Sequence, residues 1–209
     1  PAYIKLCMQT WKKFLPDYKI IILDYSNLFE YIDKNCYDKI LFKKFNLAKQ
    51  ADAIRCAVLK QHGGIWLDSD SIITSDKFKE LMEINSDFVL IQQHISFIKA
   101  VKNSQILNLW ENEIKERIKI FKNFKLFYKF FDKPAYKNLK NWDYLGNGII
   151  NKYLSIANEK HFHSINKSEI KAFPECNYYS PQSDTDVIEA YRNFWFNNDF
   201  TSYLEEGNL

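Results

Sequence analysis

The stretch from Leu47 to Asp70 confines the fold more tightly than any other part of this 209-residue chain. Leu47, Ala51, Ile54 and Val58 recur at helical intervals, which predicts a helix over 47–59 with that stripe buried. Gly63 and Gly64 stop it, because glycine reaches the left-handed conformations that a helix end and a tight turn require. Ile65-Trp66-Leu67 is a short β-prone apolar run, the composition of a buried strand. Helix, tight turn and buried strand in that order suit an α/β fold, whose ligands bind beyond the carboxyl ends of the strands. Asp68 falls at that edge.

The charged residues of the same stretch carry the chemistry. Asp52 and Arg55 lie three apart and are expected to project from one side of the helix, beside the apolar stripe. Asp68 and Asp70 offer the hard oxygen ligands that Mg²⁺ or Mn²⁺ takes, and such a cation binds and neutralises a diphosphate. The expectation is that all four ionic side chains gather around one anionic ligand and one cation, as a nucleotide-sugar donor requires. A second Asp-x-Asp triplet, Asp184 and Asp186, follows the polar run Ser180-Pro181-Gln182-Ser183. With no apolar strand leading in, it has the character of a solvent-facing loop.

The flanking order agrees with an α/β class. A helix is predicted from about Tyr3 to Leu15, then a nearly continuous apolar strand, Lys19 to Leu23, of the kind buried on both faces in a parallel sheet. A short helix near Leu28 to Asn35, a strand over 87–92 and a long helix opening at Ser104 follow. Ile106, Leu107, Trp110, Ile114 and Ile118 keep helical period along the last of these. At 25.0 kDa and 46% hydrophobic residues, residues 1–209 can fold around one core as a single domain. Cys7, Cys36, Cys56 and Cys176 are widely spaced, without a Cys-x-x-Cys pair. Neither a zinc site nor a disulfide framework is indicated, which favours a reducing cytosol. No apolar run reaches the length of a membrane span.

Three further features are candidates for contact with a ligand or surface. Between residues 115 and 140, lysines and arginines interleave with Phe121, Phe124, Phe127, Tyr128 and Phe131, relieved only by Glu116 and Asp132. A basic aromatic helix of this kind suits peripheral contact with a membrane surface, a solvated helix face with its aromatics in the core being the equal alternative; no nucleic-acid-binding motif accompanies it. His161 and His163 alternate as on a strand and could share a face. Gly146 and Gly148 let backbone approach a ligand closely, and Asn147 between them offers both a donor and an acceptor to sugar hydroxyls. An ordinary turn is the equal alternative.

The block Ala51-Asp52-Ala53-Ile54-Arg55 with Gly63-Gly64-Ile65-Trp66-Leu67-Asp68-Ser69-Asp70 resembles the donor-binding core of retaining glycosyltransferases of family 32 and the related capsular polysaccharide synthesis proteins. Cys7 to Tyr18 is similar to the helix and turn before that family's second strand. Ala172-Phe173-Pro174 and Tyr178-Tyr179-Ser180-Pro181 are similar to its late proline and aromatic motif, and Leu145-Gly146-Asn147-Gly148 to its acceptor-side glycine motif. The resemblance implies a GT-A-like, Rossmann-type mixed sheet flanked by helices, with a first strand upstream of Pro1. It also implies a metal-dependent retaining transfer of a hexosyl unit from a nucleotide sugar to a glycan or lipid-linked acceptor, in bacterial surface polysaccharide synthesis. Asp70 would bind Mn²⁺ or Mg²⁺ directly and Asp68 through water or by the donor's ribose or sugar. Asp52 and Arg55 would hold the transferred sugar, with Arg55 near the diphosphate, and Trp66 would lie along the nucleotide. A further metal ligand would come from near the C-terminus, where the tail offers Asn197, Asn198 and Asp199. The expected location is cytoplasmic, at the inner face of the cytoplasmic membrane if 115–140 touches lipid.

Two other functions fit part of the pattern. An apolar strand running into Asp68-Ser69-Asp70 also matches haloacid dehalogenase-like phosphatases, with Asp68 as nucleophile and Asp70 as acid/base. A non-catalytic nucleotide-sugar binding protein could use the same scaffold, since a fold does not fix a function.

Overall fold

A computed structural model describes residues 2–71, 73, 76–91, 94–127, 141–154 and 163–165. The elements run α1 (Ala2–Phe14), α2 (Leu28–Tyr31), α3 (Ile40–Lys44), α4 (Leu47–His62) and β1 (Gly64–Leu67). A 3₁₀ turn (Asp76–Lys79), α5 (Glu80–Glu83), β2 (Phe88–Ile91) and β3 (His94–Ala100) follow, then α6 (Gln105–Phe127), α7 (Asn147–Leu154) and β4 (His163–Ile165). They divide between two compact units, one built from Pro1–Ile21 and Leu67–Ile84 and the other from Ile22–Trp66 and Asn85–Ile165.

In the larger unit the sheet order is β1-β3-β2-β4. β2 and β3 are antiparallel, with Phe88 opposite Ala100 and a shift in register between Leu90 and Ile91. β2 and β4 are parallel, Val89 opposite His163. The sheet is therefore mixed, in a mixed α/β unit. Phe88, Val89, Leu90 and Ile91 are all buried, so β2 reads as an unbroken apolar run and not as an alternating one. Along α6 the predicted stripe Ile106, Leu107, Trp110, Ile114 and Ile118 is buried. Its start is fixed by Ser104, whose Oγ accepts from the Leu107 amide at 3.4 Å, as an N-cap serine does.

Helix α4 forms where the sequence predicts it but presents a different face. Asn46, extended, caps it by accepting from the Lys49 amide at 3.1 Å. The expected stripe lies at the edge of the buried face: Leu47 is 70% exposed, Ala51 is half-buried and Ile54 and Val58 pack half-buried against the core, while Asp52, Ala53, Arg55, Cys56, Ala57 and Leu59 are buried. Asp52 and Arg55 thus stand on the buried face, not beside it. On that face α4 packs against α6, where the Cys56 thiol donates to the Leu107 carbonyl at 3.6 Å.

At the end of α4, Gly63 has φ +70 and ψ −162, a region essentially restricted to glycine. Its neighbour Gly64 has φ +97, and a Cβ on Gly63 would stand 2.8 Å from the Lys102 amide nitrogen and 3.1 Å from the Ala100 carbonyl. Gly63→Ala is accordingly expected to destabilise the protein by about 1–3 kcal/mol, measured by denaturant unfolding. Gly64→Ala meets no neighbouring atom and is expected to lose only the backbone-strain part.

Residues 19–23 do not form the predicted buried parallel strand. Ile20, Ile21 and Ile22 are 37%, 40% and 46% exposed and carry no strand assignment. An apolar run becomes a strand only when a neighbour completes its ladder, and no described segment pairs with this one.

The smaller unit is built on α1. Its Trp11 Nε1 donates to the Ser71 carbonyl at 2.7 Å. Thr10 Oγ1 donates to the Cys7 carbonyl at 2.7 Å and accepts from the Ile73 amide at 3.1 Å. These bonds tie the segment after β1 to α1. Cys7, Cys36 and Cys56 are free thiols; Cys176 lies outside the described residues.

The described part of the basic stretch is laced with ion pairs. Lys115 meets Glu111 at 2.7 Å, Arg117 meets Glu113 at 3.0 Å and Lys122 meets Asp38 at 2.6 Å, while Phe121 stacks on Phe45 with ring centroids 4.5 Å apart. Residues 128–140 lie outside the described residues. Among the described helices, none is long and apolar enough to cross a membrane.

Candidate active site

Asp52 and Arg55 form a buried pair, their side chains 2% and 7% exposed, with Arg55 Nη2 3.4 Å from Asp52 Oδ1. The guanidinium makes further contacts around its edge and on its face. Nε donates to the Ala51 carbonyl at 3.4 Å and Nη1 donates to the Ile95 carbonyl. Its Cζ lies 5.2 Å from the centroid of the Trp66 ring, within cation–π range. Arg55 therefore joins α4, β1 and β3 while it orients Asp52.

The glycine motif meets the same carboxylate. A Cβ on Gly146 would stand 2.5 Å from Asp52 Oδ2 and 2.6 Å from Ile95 Cδ1. Any larger residue at 146 must displace both of them. Asn147 opens α7, and its Oδ1 accepts from the Ile95 amide at 3.3 Å. The Gly146 carbonyl accepts the first helical amides, from Ile149 at 2.9 Å and Ile150 at 3.2 Å. The segment is held from behind by Trp110, whose Nε1 donates to the Leu145 carbonyl at 2.7 Å. So Asp52, Arg55, Trp66, Gly146 and Asn147 are brought together, with Ile95 as the common backbone anchor. Gly148 stands one residue further on, beside Asp143.

Two members of this neighbourhood have no sequence signal of their own. Lys49, one turn before Asp52, is 7% exposed. Burial lowers its pKa from the usual lysine value, opposed by the charges of Asp143 and Asp52. His94 is buried at the start of β3 and its Nδ1 accepts from the Ser96 amide at 3.1 Å.

Asp68 and Asp70 belong to the smaller unit, in the turn after β1 closed by the Ser71 amide donating to the Asp68 carbonyl at 2.9 Å. Both are half-buried. The Cys7 thiol is pushed up to about 12 by burial and by the negative charge of Asp70. Two carboxylates in one turn fit Mg²⁺ or Mn²⁺, which is held by one or two carboxylates and completed by substrate phosphates and water. Among the described residues no group of three or more His, Cys, Asp or Glu side chains could hold a metal. His161, Asp184, Asp186, Asn197, Asn198 and Asp199 lie outside the described residues.

Comparison with known proteins adds the family. No curated protein matches the sequence. A solved structure described as PaToxG glycosyltransferase is similar to it, at 17% identity and a TM-score of 0.46, covering 74% of this chain and 63% of that one. The chain thus spans less than two thirds of that protein. A family profile described as capsular polysaccharide synthesis protein matches residues 1–179, which include the Asp52, Arg55, Asp68, Asp70 and Gly146 positions. The chain belongs to the capsular polysaccharide synthesis protein family.

Proposed function

We propose that this protein is a metal-dependent, retaining glycosyltransferase that moves a hexosyl unit from a nucleotide sugar to a glycan or lipid-linked acceptor during capsular polysaccharide synthesis. The observation that carries the reading is the buried Asp52 carboxylate, oriented by Arg55 and pressed against the Gly146 backbone. A carboxylate in that setting accepts hydrogen bonds from sugar hydroxyls, and membership of a polysaccharide-building family supplies the substrate class. The mixed sheet supports a GT-A-like, Rossmann-type core. In this reading the protein works in the cytoplasm.

Each residue has a task in this reading. Asp52 holds the transferred sugar, Arg55 fixes Asp52 against β3, and Trp66 offers an apolar face along the nucleotide. Asp70, with Asp68, would hold Mn²⁺ or Mg²⁺, which when bound neutralises the charge that develops on the leaving diphosphate. In the transfer the bond from the anomeric carbon to the diphosphate oxygen breaks and one to the acceptor oxygen forms on the same face. The acceptor's proton passes to an oxygen of the departing diphosphate. No side-chain base is needed.

The test is a panel of UDP-, GDP- and CMP-sugars with and without Mn²⁺, scored for donor hydrolysis and thermal shift. Mn²⁺-dependent hydrolysis of at least one donor is expected. Release of phosphate from a phosphomonoester with no response to any nucleotide sugar would replace this reading with the phosphatase one. Metal-dependent stabilisation without turnover, even with an acceptor mixture, would leave a binding protein.

A further inference from the structure

The backbone that presses on Asp52 is itself gripped from α6. Two side chains of that helix donate to consecutive carbonyls just ahead of Gly146: Arg117 Nη1 to Tyr144 at 2.5 Å and Trp110 Nε1 to Leu145 at 2.7 Å. The Arg117 Cζ also lies 5.0 Å from the centroid of the Tyr144 ring, within cation–π range. Arg117 Nε donates to Oε1 of Glu113, one turn earlier on α6, at 3.0 Å. Oε2 of Glu113 reaches the far end of α7, accepting from Lys152 Nζ at 2.8 Å and from the Tyr153 hydroxyl at 3.2 Å. One carboxylate therefore orients the guanidinium that holds the segment before α7 and also holds the last turn of α7.

We propose, resting on the glycosyl-transfer reading, that Arg117 and Glu113 are positioning residues. They set where the Gly146 backbone stands against Asp52, and so where that carboxylate meets the transferred sugar. The reason is the closeness of the approach. A Cβ on Gly146 would lie 2.5 Å from Asp52 Oδ2, so in a close-packed interior a small shift of this segment either pushes the carboxylate or opens a gap beside it. Misplacing a substrate-holding group by about 1 Å can cost about 100-fold in rate. Arginine suits the task, because its planar fork bonds a carbonyl and a carboxylate at once in fixed geometry, which a lysine ammonium on a flexible stem does not.

The experiment takes the full chain with Mn²⁺ through the UDP-, GDP- and CMP-sugar panel and compares wild type with Arg117→Met, Glu113→Gln and the double variant. Rates are expressed per folded molecule, with the folded fraction taken from urea unfolding at the assay temperature. Arg117→Met is expected to lower kcat by roughly 10- to 100-fold and to leave the donor KM within about threefold, because the interaction lost orients the sugar without binding the nucleotide. Glu113→Gln is expected to lower kcat less. The double variant should cost little more than Arg117→Met alone, since both residues act through one segment. Hydrogen exchange gives a readout that needs no substrate. The Ile149 and Ile150 amides, bonded to the Gly146 carbonyl at 2.9 and 3.2 Å, are expected to exchange at least about tenfold faster in Arg117→Met, with the β2 amides unchanged. Unchanged exchange at 149 and 150 overturns the proposal. So does faster exchange with kcat per folded molecule intact, which would make the bracket purely structural, and so does a double variant whose losses multiply. If the wild-type protein hydrolyses no nucleotide sugar, the glycosyltransferase reading falls and takes this one with it; a normal kcat in Arg117→Met overturns the positioning role alone.

Discussion

Alanine in place of Asp70 is expected to reduce sugar transfer by about 100- to 1000-fold, the usual effect of losing one preorganised contact to developing charge. Urea unfolding of the same variant shows how much of that loss belongs to folding. Asp70 is half-buried, and its charge stands beside the buried Cys7 thiol, which it helps to push up to about 12. The two readouts separate function from folding. Asp70→Asn, which keeps shape and removes charge, is expected to behave like the alanine variant, and raising Mn²⁺ into the millimolar range is expected not to restore it. Near-normal turnover by either variant would remove Asp70 from the site.

Asp52→Ala is expected to lose both stability and activity. The Asp52 and Arg55 side chains are 2% and 7% exposed. Removing one partner of such a pair leaves a buried cation and costs about 3–5 kcal/mol; the lower end applies here, because Arg55 keeps its bonds to Ile95 and Ala51. Urea unfolding measures it. Gly146→Ala should cost about 1–3 kcal/mol by overpacking, since its Cβ meets Asp52 Oδ2. The double variant carries the sharper result. With the carboxylate gone, the added methyl group still meets Ile95 Cδ1 but no longer Asp52, so the two costs should add to less than their sum. Strict additivity would mean that the approach to Ile95, and not Asp52, is what requires glycine at 146.

The sequence shows where α4 lies far better than which way it faces. Its cap at Asn46 and its stop at Gly63 are local signals, and local chemistry alone sets them. The buried face is different, because counting apolar residues selects Leu47, Ala51, Ile54 and Val58 and passes over Lys49, Asp52 and Arg55. Polar residues on a buried face break the hydropathy pattern, and such breaks are where candidate sites are sought. The run Ile20-Ile21-Ile22 fails for the converse reason: its composition is right for a strand, yet strand formation needs a partner that composition does not reveal. The glycine motif, partly legible as a close approach of backbone, is fully explained only once Asp52 is seen at Gly146.

Anchoring α4 at its two termini has a consequence for how this family can vary. Asn46 fixes the first turn, and Gly63, lodged against Ala100 and Lys102, fixes the last. A helix turns about 100° per residue, so one inserted or deleted residue between those anchors would swing Asp52 about a quarter of the way round the axis. Length changes among relatives should therefore collect outside this span, which behaves as a gauge of constant size.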